Sequence, residues 1–143
     1  MGSHQTLTRV VLDTNIVVSA LLFGGAAQSV HRAWRHKRIM PLASAEMVRE
    51  YARVLSYPKF GLAESEISAL LHEEILPYLS PVRVLRVPKI VTADPSDDIF
   101  LACAHRGQAD AVVSGDKHLL SIREHAGIPI LNLKEFIGQI GDE

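Results

Sequence analysis

Two short runs, Val10-Val11-Leu12 and Ala111-Val112-Val113, are apolar at every position. A strand with one wet face alternates apolar and polar residues, because successive side chains point to opposite faces. A run without alternation needs cover on both faces, and a parallel sheet between helices supplies it. The rest of the chain agrees with that demand. Residues 16–22 are apolar and read as a buried helix stopped by Gly24-Gly25. Residues 26–38 read as a helix with Ala26, Val30, Ala33 and Trp34 inward. Pro41-Leu42-Ala43 reads as a short strand, and Ser44 caps a helix that runs to Leu55 and ends before Pro58. A further helix covers residues 63–76, with Ile67, Leu70, Leu71 and Ile75 inward. Val82, Val84 and Arg86 alternate as a strand. Ser96 caps a helix over residues 97–106, with Gly107 as its stop. Ile128-Pro129-Ile130-Leu131 is expected as an edge strand, because Pro129 has no N–H to give a neighbour. Asn132 with Glu135 forms a capping box for a last helix. Strands separated by helices make right-handed βαβ units. The expected fold is therefore α/β, a three-layer α/β/α domain over residues 6–141 with a central parallel sheet of four to five strands. Residues 1–5, opening Met1-Gly2-Ser3-His4, read as an expression remnant or a disordered N-terminus.

Composition narrows the function. Fifteen Lys and Arg against sixteen Asp and Glu leave a net charge of −1, so any nucleic-acid contact needs a local patch. Cys103 is the one cysteine, which excludes an internal disulfide framework and fits a reducing compartment. The apolar stretch over residues 16–23, broken by Ser19, is too short to span a bilayer. With no export leader, the expected location is the cytoplasm, without membrane association.

Acidic residues then fall where such a sheet binds ligands. Asp13 follows Val10-Val11-Leu12, and Asp116 follows Val112-Val113-Ser114-Gly115. Crevices in open α/β sheets lie at the carboxyl ends of the strands. Each Asp also has an ordinary reading as a turn residue. Glu50 borders the apolar stripe Met47, Tyr51, Val54 and Leu55 of its helix, a place for either a ligand or a surface glutamate. Asp94-Pro95-Ser96-Asp97-Asp98 puts three carboxylates at a helix start, where they also complement the helix dipole. Two carboxylates about 4 Å apart repel by roughly 4 kcal/mol at an effective dielectric near 20. Several cannot share a cleft ionised without a cation or bound protons. An all-oxygen set selects Mg²⁺ or Mn²⁺ over zinc.

Val11-Leu12-Asp13-Thr14-Asn15, Glu50, Asp94-Pro95-Ser96-Asp97-Asp98 before Phe100-Leu101-Ala102-Cys103-Ala104, and Val113-Ser114-Gly115-Asp116-Lys117 together resemble the PIN domain. The order and spacing of these motifs most resemble the toxin components of toxin–antitoxin pairs, relatives of the VapC toxins. The similarity runs from about Arg9 to Ile137. It implies an Mg²⁺- or Mn²⁺-dependent endoribonuclease whose four acidic positions are Asp13, Glu50, Asp97 and Asp116, both catalytic and metal-binding. An ungapped count back from Asp116 points to Asp98 as the third acid instead. Asp97 is preferred because this narrower group resembles Asp-Pro-x-Asp followed by Asn, Asp or Glu, and because Asp97 shares the helix face of Phe100, Leu101 and Ala104. Asn15 and Ser114 match polar positions that support the first and last acids. The resemblance also implies an RNA substrate, a cognate antitoxin and a homodimer.

Other features carry less. His31-Arg32-Ala33-Trp34-Arg35-His36-Lys37-Arg38 is the basic cluster. It is a candidate RNA contact through Arg32, Arg35 and Lys37 with Trp34 stacked on a base, or else a helix C-terminus with Trp34 in the core. Lys117 is placed to reach a phosphate or to sit in solvent. No HExxH, paired-cysteine, Walker or GxGxxG motif occurs, so zinc and nucleotide-cofactor chemistry lack support. A haloacid-dehalogenase phosphatase needs a second Asp two residues after the first, where this chain has Asn15. An RNA-processing nuclease without a toxin role and a non-catalytic RNA- or protein-binding module remain the alternatives.

Overall fold

Val10, Val11 and Leu12 at one end of β1 (Thr8–Leu12) are buried, as are all three residues of β4 (Ala111–Val113). Cover on both faces is what a run without alternation requires, and it puts these two strands at the centre of the sheet. A computed structural model describes residues 8–85 and 95–141, with only the backbone of Pro95 and Ser96. In chain order, β1 is followed by α1 (Thr14–Leu22), α2 (Ala27–Arg35), β2 (Ile39–Ala43), α3 (Ala45–Leu55) and a single 3₁₀ turn, Pro58–Phe60. Then come α4 (Glu64–Ala69), a π-helical turn (Leu70–Ile75), β3 (Ser80–Pro81) and α5 (Pro95–Gly107). The chain closes with β4, α6 (Lys117–Ile122), β5 (Glu124–His125), β6 (Ile128–Leu131) and α7 (Leu133–Ile140).

The sheet order is β3-β2-β1-β4-β6-β5. All neighbours are parallel except β5 and β6. From β1 the chain steps one way to β2 and β3, and from β4 the other way to β6. The direction reverses between β1 and β4, and a crevice opens at such a switch point. The register there is Val10↔Ala111, Val11↔Val112 and Leu12↔Val113, so both strands end together.

The α/β class and the mostly parallel sheet hold, with six strands where four to five were expected. Several expected details are corrected. Ile128-Pro129-Ile130-Leu131 is not the edge: β5 pairs antiparallel outside it, Glu124 opposite Pro129. The hairpin turns on Ala126 and Gly127, both at positive φ, as a two-residue turn of this hand needs. Ala26 is exposed and Ala27 takes the inward place in α2, which ends at Arg35 before Lys37 at φ 59°. The helix expected over residues 63–76 changes winding at Leu70, where Leu76 N–H bonds Leu71 O at 2.9 Å. The wider turn lets Ile75 enter the main core while Leu70 packs on a second cluster around Val18, Val54 and Leu55. β3 is shorter than the Val82-Val84 alternation suggested, although Val82 N–H still bonds Ala43 O at 2.9 Å. Arg86, Asp94, the Ser96 side chain and residues 1–5 lie outside the described residues. No helix among the described residues is long and apolar enough to cross a membrane.

The caps expected at Ser44 and Asn132 form. Ser44 Oγ accepts from Met47 N–H at 3.3 Å, and Asn132 and Glu135 exchange bonds of 2.8 and 2.9 Å. Trp34 lies in the core at 2% exposure, and its Nε1–H donates to Glu74 O at 2.9 Å. That closes it to base stacking. Trp34→Ala is expected to cost about 3–5 kcal/mol of stability, from the cavity and the carbonyl left without its donor. Chemical denaturation checks this; unchanged stability with lost RNA affinity would return Trp34 to the surface.

Candidate active site

Each strand at the switch point hands its chain to a helix through an aspartate. Asp13 is the N-cap of α1, and its Oδ1 accepts from Ile16 N–H at 3.1 Å. Asp116 is the N-cap of α6, and its Oδ1 accepts from His118 and Leu119 N–H at 2.7 and 3.3 Å. Asp13 N–H donates to Val113 O at 3.0 Å, extending the β1–β4 pairing by one bond. Ser114 ties the two acids: its buried hydroxyl donates to Asp13 Oδ2 and accepts from Asp116 N–H. These ties answer the turn-residue reading for Asp13, which is 5% exposed and not a solvated loop acid.

α3 brings Glu50 to the same place. Tyr51 is buried and its hydroxyl donates to Leu12 O at 3.2 Å, fixing the helix on the end of β1. α5 packs on β1, β2, β4 and α3 and presents Asp97. Asp13, Glu50, Asp97 and Asp116 line one cleft of about 240 Å³. Asn15 lines it too. Asp98 is buried as deeply as Asp97 but does not line the cleft. Arg32, Arg35, Lys37 and Lys117 are exposed and do not line the cleft. Sequence reasoning missed Tyr57 and Lys59, which do. The clue was the string Tyr57-Pro58-Lys59-Phe60, two aromatics and a cation held by the 3₁₀ turn immediately after α3.

The electrostatics set Asp13 apart. Burial pushes its carboxyl above the ordinary aspartate range, and the negative charge of Asp116 adds to that. Hydrogen bonds from Ser114, Ile16 and Gly115 work against the rise. Cys103 is buried, and burial raises its thiol to about 12, which removes it as a nucleophile.

The chain is matched over residues 9–118 by the PIN domain family. It belongs to that family. Two solved structures share this fold. The crystal structure of PAE2754 from Pyrobaculum aerophilum superposes with a TM-score of 0.61 at 11% identity, covering 93% of this chain and 89% of that one. The PIN domain endonuclease Utp24 superposes with a TM-score of 0.53 at 18% identity, covering 87% and 84%. No curated protein sequence matches the chain.

PIN domains that cleave nucleic acid commonly do so with divalent metal, so the site's fitness for one matters. The donors are carboxylates, which suit a hard cation. Thr14 Oγ1, on the cleft wall, is buried with no hydrogen-bond partner among the described residues. Asp13 feels the uncompensated charge of Asp116. Against these, no three acids or histidines among the described residues converge closely enough to hold an ion between them. Glu50 is turned to Arg53, whose Nη2–H and Nε–H donate to its Oε1 at 2.6 and 3.2 Å. Arg53 is exposed, and such pairs contribute little, so Glu50 is free to exchange partners. The donor set fits the cation.

The raised pKa of Asp13 has a sign that stability can read. Above that pKa the ionised carboxylate sits in surroundings that penalise it, and the native state binds its proton more tightly than the unfolded chain does. The penalty is present at neutral pH and fades as pH falls through the raised pKa toward the ordinary aspartate value of 3.8. In metal-free buffer, Asp13→Asn is expected to melt at or above the parent at pH 7, with the gap closing toward pH 4. Scanning calorimetry across that range checks it. A variant less stable by the same amount at every pH would contradict the burial argument.

Proposed function

We propose that this PIN domain is an Mg²⁺- or Mn²⁺-dependent endoribonuclease that hydrolyses RNA phosphodiester bonds. The observation that carries the reading is the Asp13–Ser114–Asp116 tie at the switch point, with Glu50 and Asp97 on the same cleft wall. Asp13, Glu50, Asp97 and Asp116 would hold the cation. Bound there, it supplies Lewis acidity for attack by water on phosphorus and for departure of the leaving oxygen. Asp13 is held by two donors, so its free lone pairs are aimed by the ends of β1 and α1. Ser114 is a positioning residue, since it orients Asp13 directly and Asp116 through its backbone. Asn15 extends the polar wall beside Asp13.

The closer resemblance extends the proposal to the toxin of a type II toxin–antitoxin pair, cytoplasmic, homodimeric and held inactive by a cognate antitoxin. Suppression of cleavage by the product of a short neighbouring reading frame tests the toxin role. Light scattering at high concentration is expected to give twice the chain mass, and a monomeric mass removes the dimer.

The central test is cleavage of single-stranded RNA with Mn²⁺, with chelator, and with variants. Asp13→Asn and Asp97→Asn are expected to abolish most cleavage, and Ser114→Ala to lower it by about 10–100-fold, as loss of a ligand's support does. Asp98→Asn is expected to cost far less. Equal cleavage by parent and Asp13→Asn would sink the nuclease reading, whereas an inactive Asp98→Asn with an active Asp97→Asn would move the third position by one residue.

A further inference from the structure

A second hollow, about 600 Å³, opens beside the carboxylate cleft and shares Asn15, Lys59 and Phe60 with it. Its remaining wall is apolar apart from Ser19: Val18, Leu22 and Phe23 of α1 and its cap, and Leu62. Most of this wall is accounted for by packing, since Leu22, Phe60 and Leu62 lie on the second hydrophobic cluster. Phe23 is not. It is 53% exposed at the end of α1, with its ring 6.0 Å from that of Phe60 at a tilt of 51°. The two rings already touch as a tilted pair, which leaves the outer face of Phe23 open rather than a slot between them. Lys59 holds its ammonium 5.2 Å from the centre of the Phe60 ring. Among the described residues no carboxylate lies within ion-pair reach of it. At the border of an acidic cleft and an apolar hollow stand one unspent cation and one open aromatic face.

We infer that this hollow seats an unpaired nucleotide of a single-stranded RNA, its base stacked on Phe23 and its phosphate beside Lys59. The inference rests on the nuclease reading and adds to it the place, and the two side chains, that hold one nucleotide. A nucleotide offers an anion and a flat apolar ring a short distance apart, which matches Lys59 and Phe23. The phosphate of the same strand then lies next to the carboxylates, where an anion needs a neighbouring cation to approach. A base in a duplex has both faces covered by stacking and cannot reach Phe23, so the preference is for unpaired RNA. The volume is in the range of small-ligand sites.

The experiment reads binding by fluorescence anisotropy on Asp13→Asn protein in Mn²⁺. The probes are a short labelled RNA strand, the same strand annealed to its complement, and a strand of the same length with abasic residues. The base-bearing single strand is expected to bind about tenfold or more tighter than the abasic one. Phe23→Ala is expected to erase that difference, and Phe23→Trp to keep it. Lys59→Ala is expected to weaken both strands and to lower the slope of log affinity against log salt by about 0.7. Equal binding of base-bearing and abasic strands, equal binding of duplex, or an unchanged preference in Phe23→Ala overturns the inference and leaves the hollow to another occupant, such as a protein segment. Should Phe23→Ala fail to fold, the abasic comparison on the unaltered hollow decides alone. The two readings fail separately. Cleavage by the wild type without base preference removes the nucleotide seat and keeps the nuclease. Base-dependent binding without cleavage keeps the seat and removes the nuclease.

Discussion

Ser114 is the joint on which the site depends. Its hydroxyl spans two acids that repel each other, and its own N–H donates to Leu131 O at 3.0 Å. One residue therefore links β1, β4 and β6 where they end. The acids stay together because the strands beneath them do. Val10, Val11, Leu12, Val112 and Val113 are almost fully buried, and each such side chain stabilises the fold by about 1.5–3 kcal/mol. Together that is roughly 10 kcal/mol, an upper figure, against a few kcal/mol for holding a partly desolvated carboxylate beside another. The apolar runs win, and the aspartates go where the strands put them.

What was legible in the sequence follows the same division. Val10-Val11-Leu12 and Ala111-Val112-Val113 could be read because a run without alternation has few homes. Ser44 and Asn132 could be read because an N-cap is a local bond between residues three apart. α6 could not, since it is six residues long with Leu119 as its buried anchor and gains its start from Asp116. β5 carries no apolar residue and exists because the Ala126-Gly127 turn folds it back on β6. The π turn at Leu70–Ile75 answers to two cores at once, a tertiary demand that periodicity cannot carry.

The site was more legible than its geometry. Strand ends nominated Asp13 and Asp116, while the resemblance to the PIN domain was needed to single out Glu50 and to choose Asp97 from its cluster; the fold gathers all four on one cleft. Their hydrogen bonds could not be foreseen. Asp13 and Asp116 each spend an oxygen on capping a helix, and Glu50 spends one on Arg53. These local bonds hold the acids in place while leaving lone pairs over. The capping bonds are short-range and backbone-anchored, so they persist whatever enters the cleft. The Arg53 bond is between two side chains on the surface of α3, so it is the weakest of these holds.

The basic residues show how charge alone misleads. The cluster from His31 to Arg38 is the densest in the chain, and it invites an RNA reading. Its aromatic member is spoken for by the core, and its cations lie off the cleft. Lys59, a lone lysine after a proline, lies on the cleft wall instead. A chain with net charge −1 and four acids in its cleft cannot draw a polyanion by bulk attraction. Approach has to be local, and a local cation works only if it is held near the acids without being neutralised by them. The 3₁₀ turn Pro58–Phe60 does this for Lys59: Pro58 fixes the exit from α3, and Phe60 takes the ammonium over its ring.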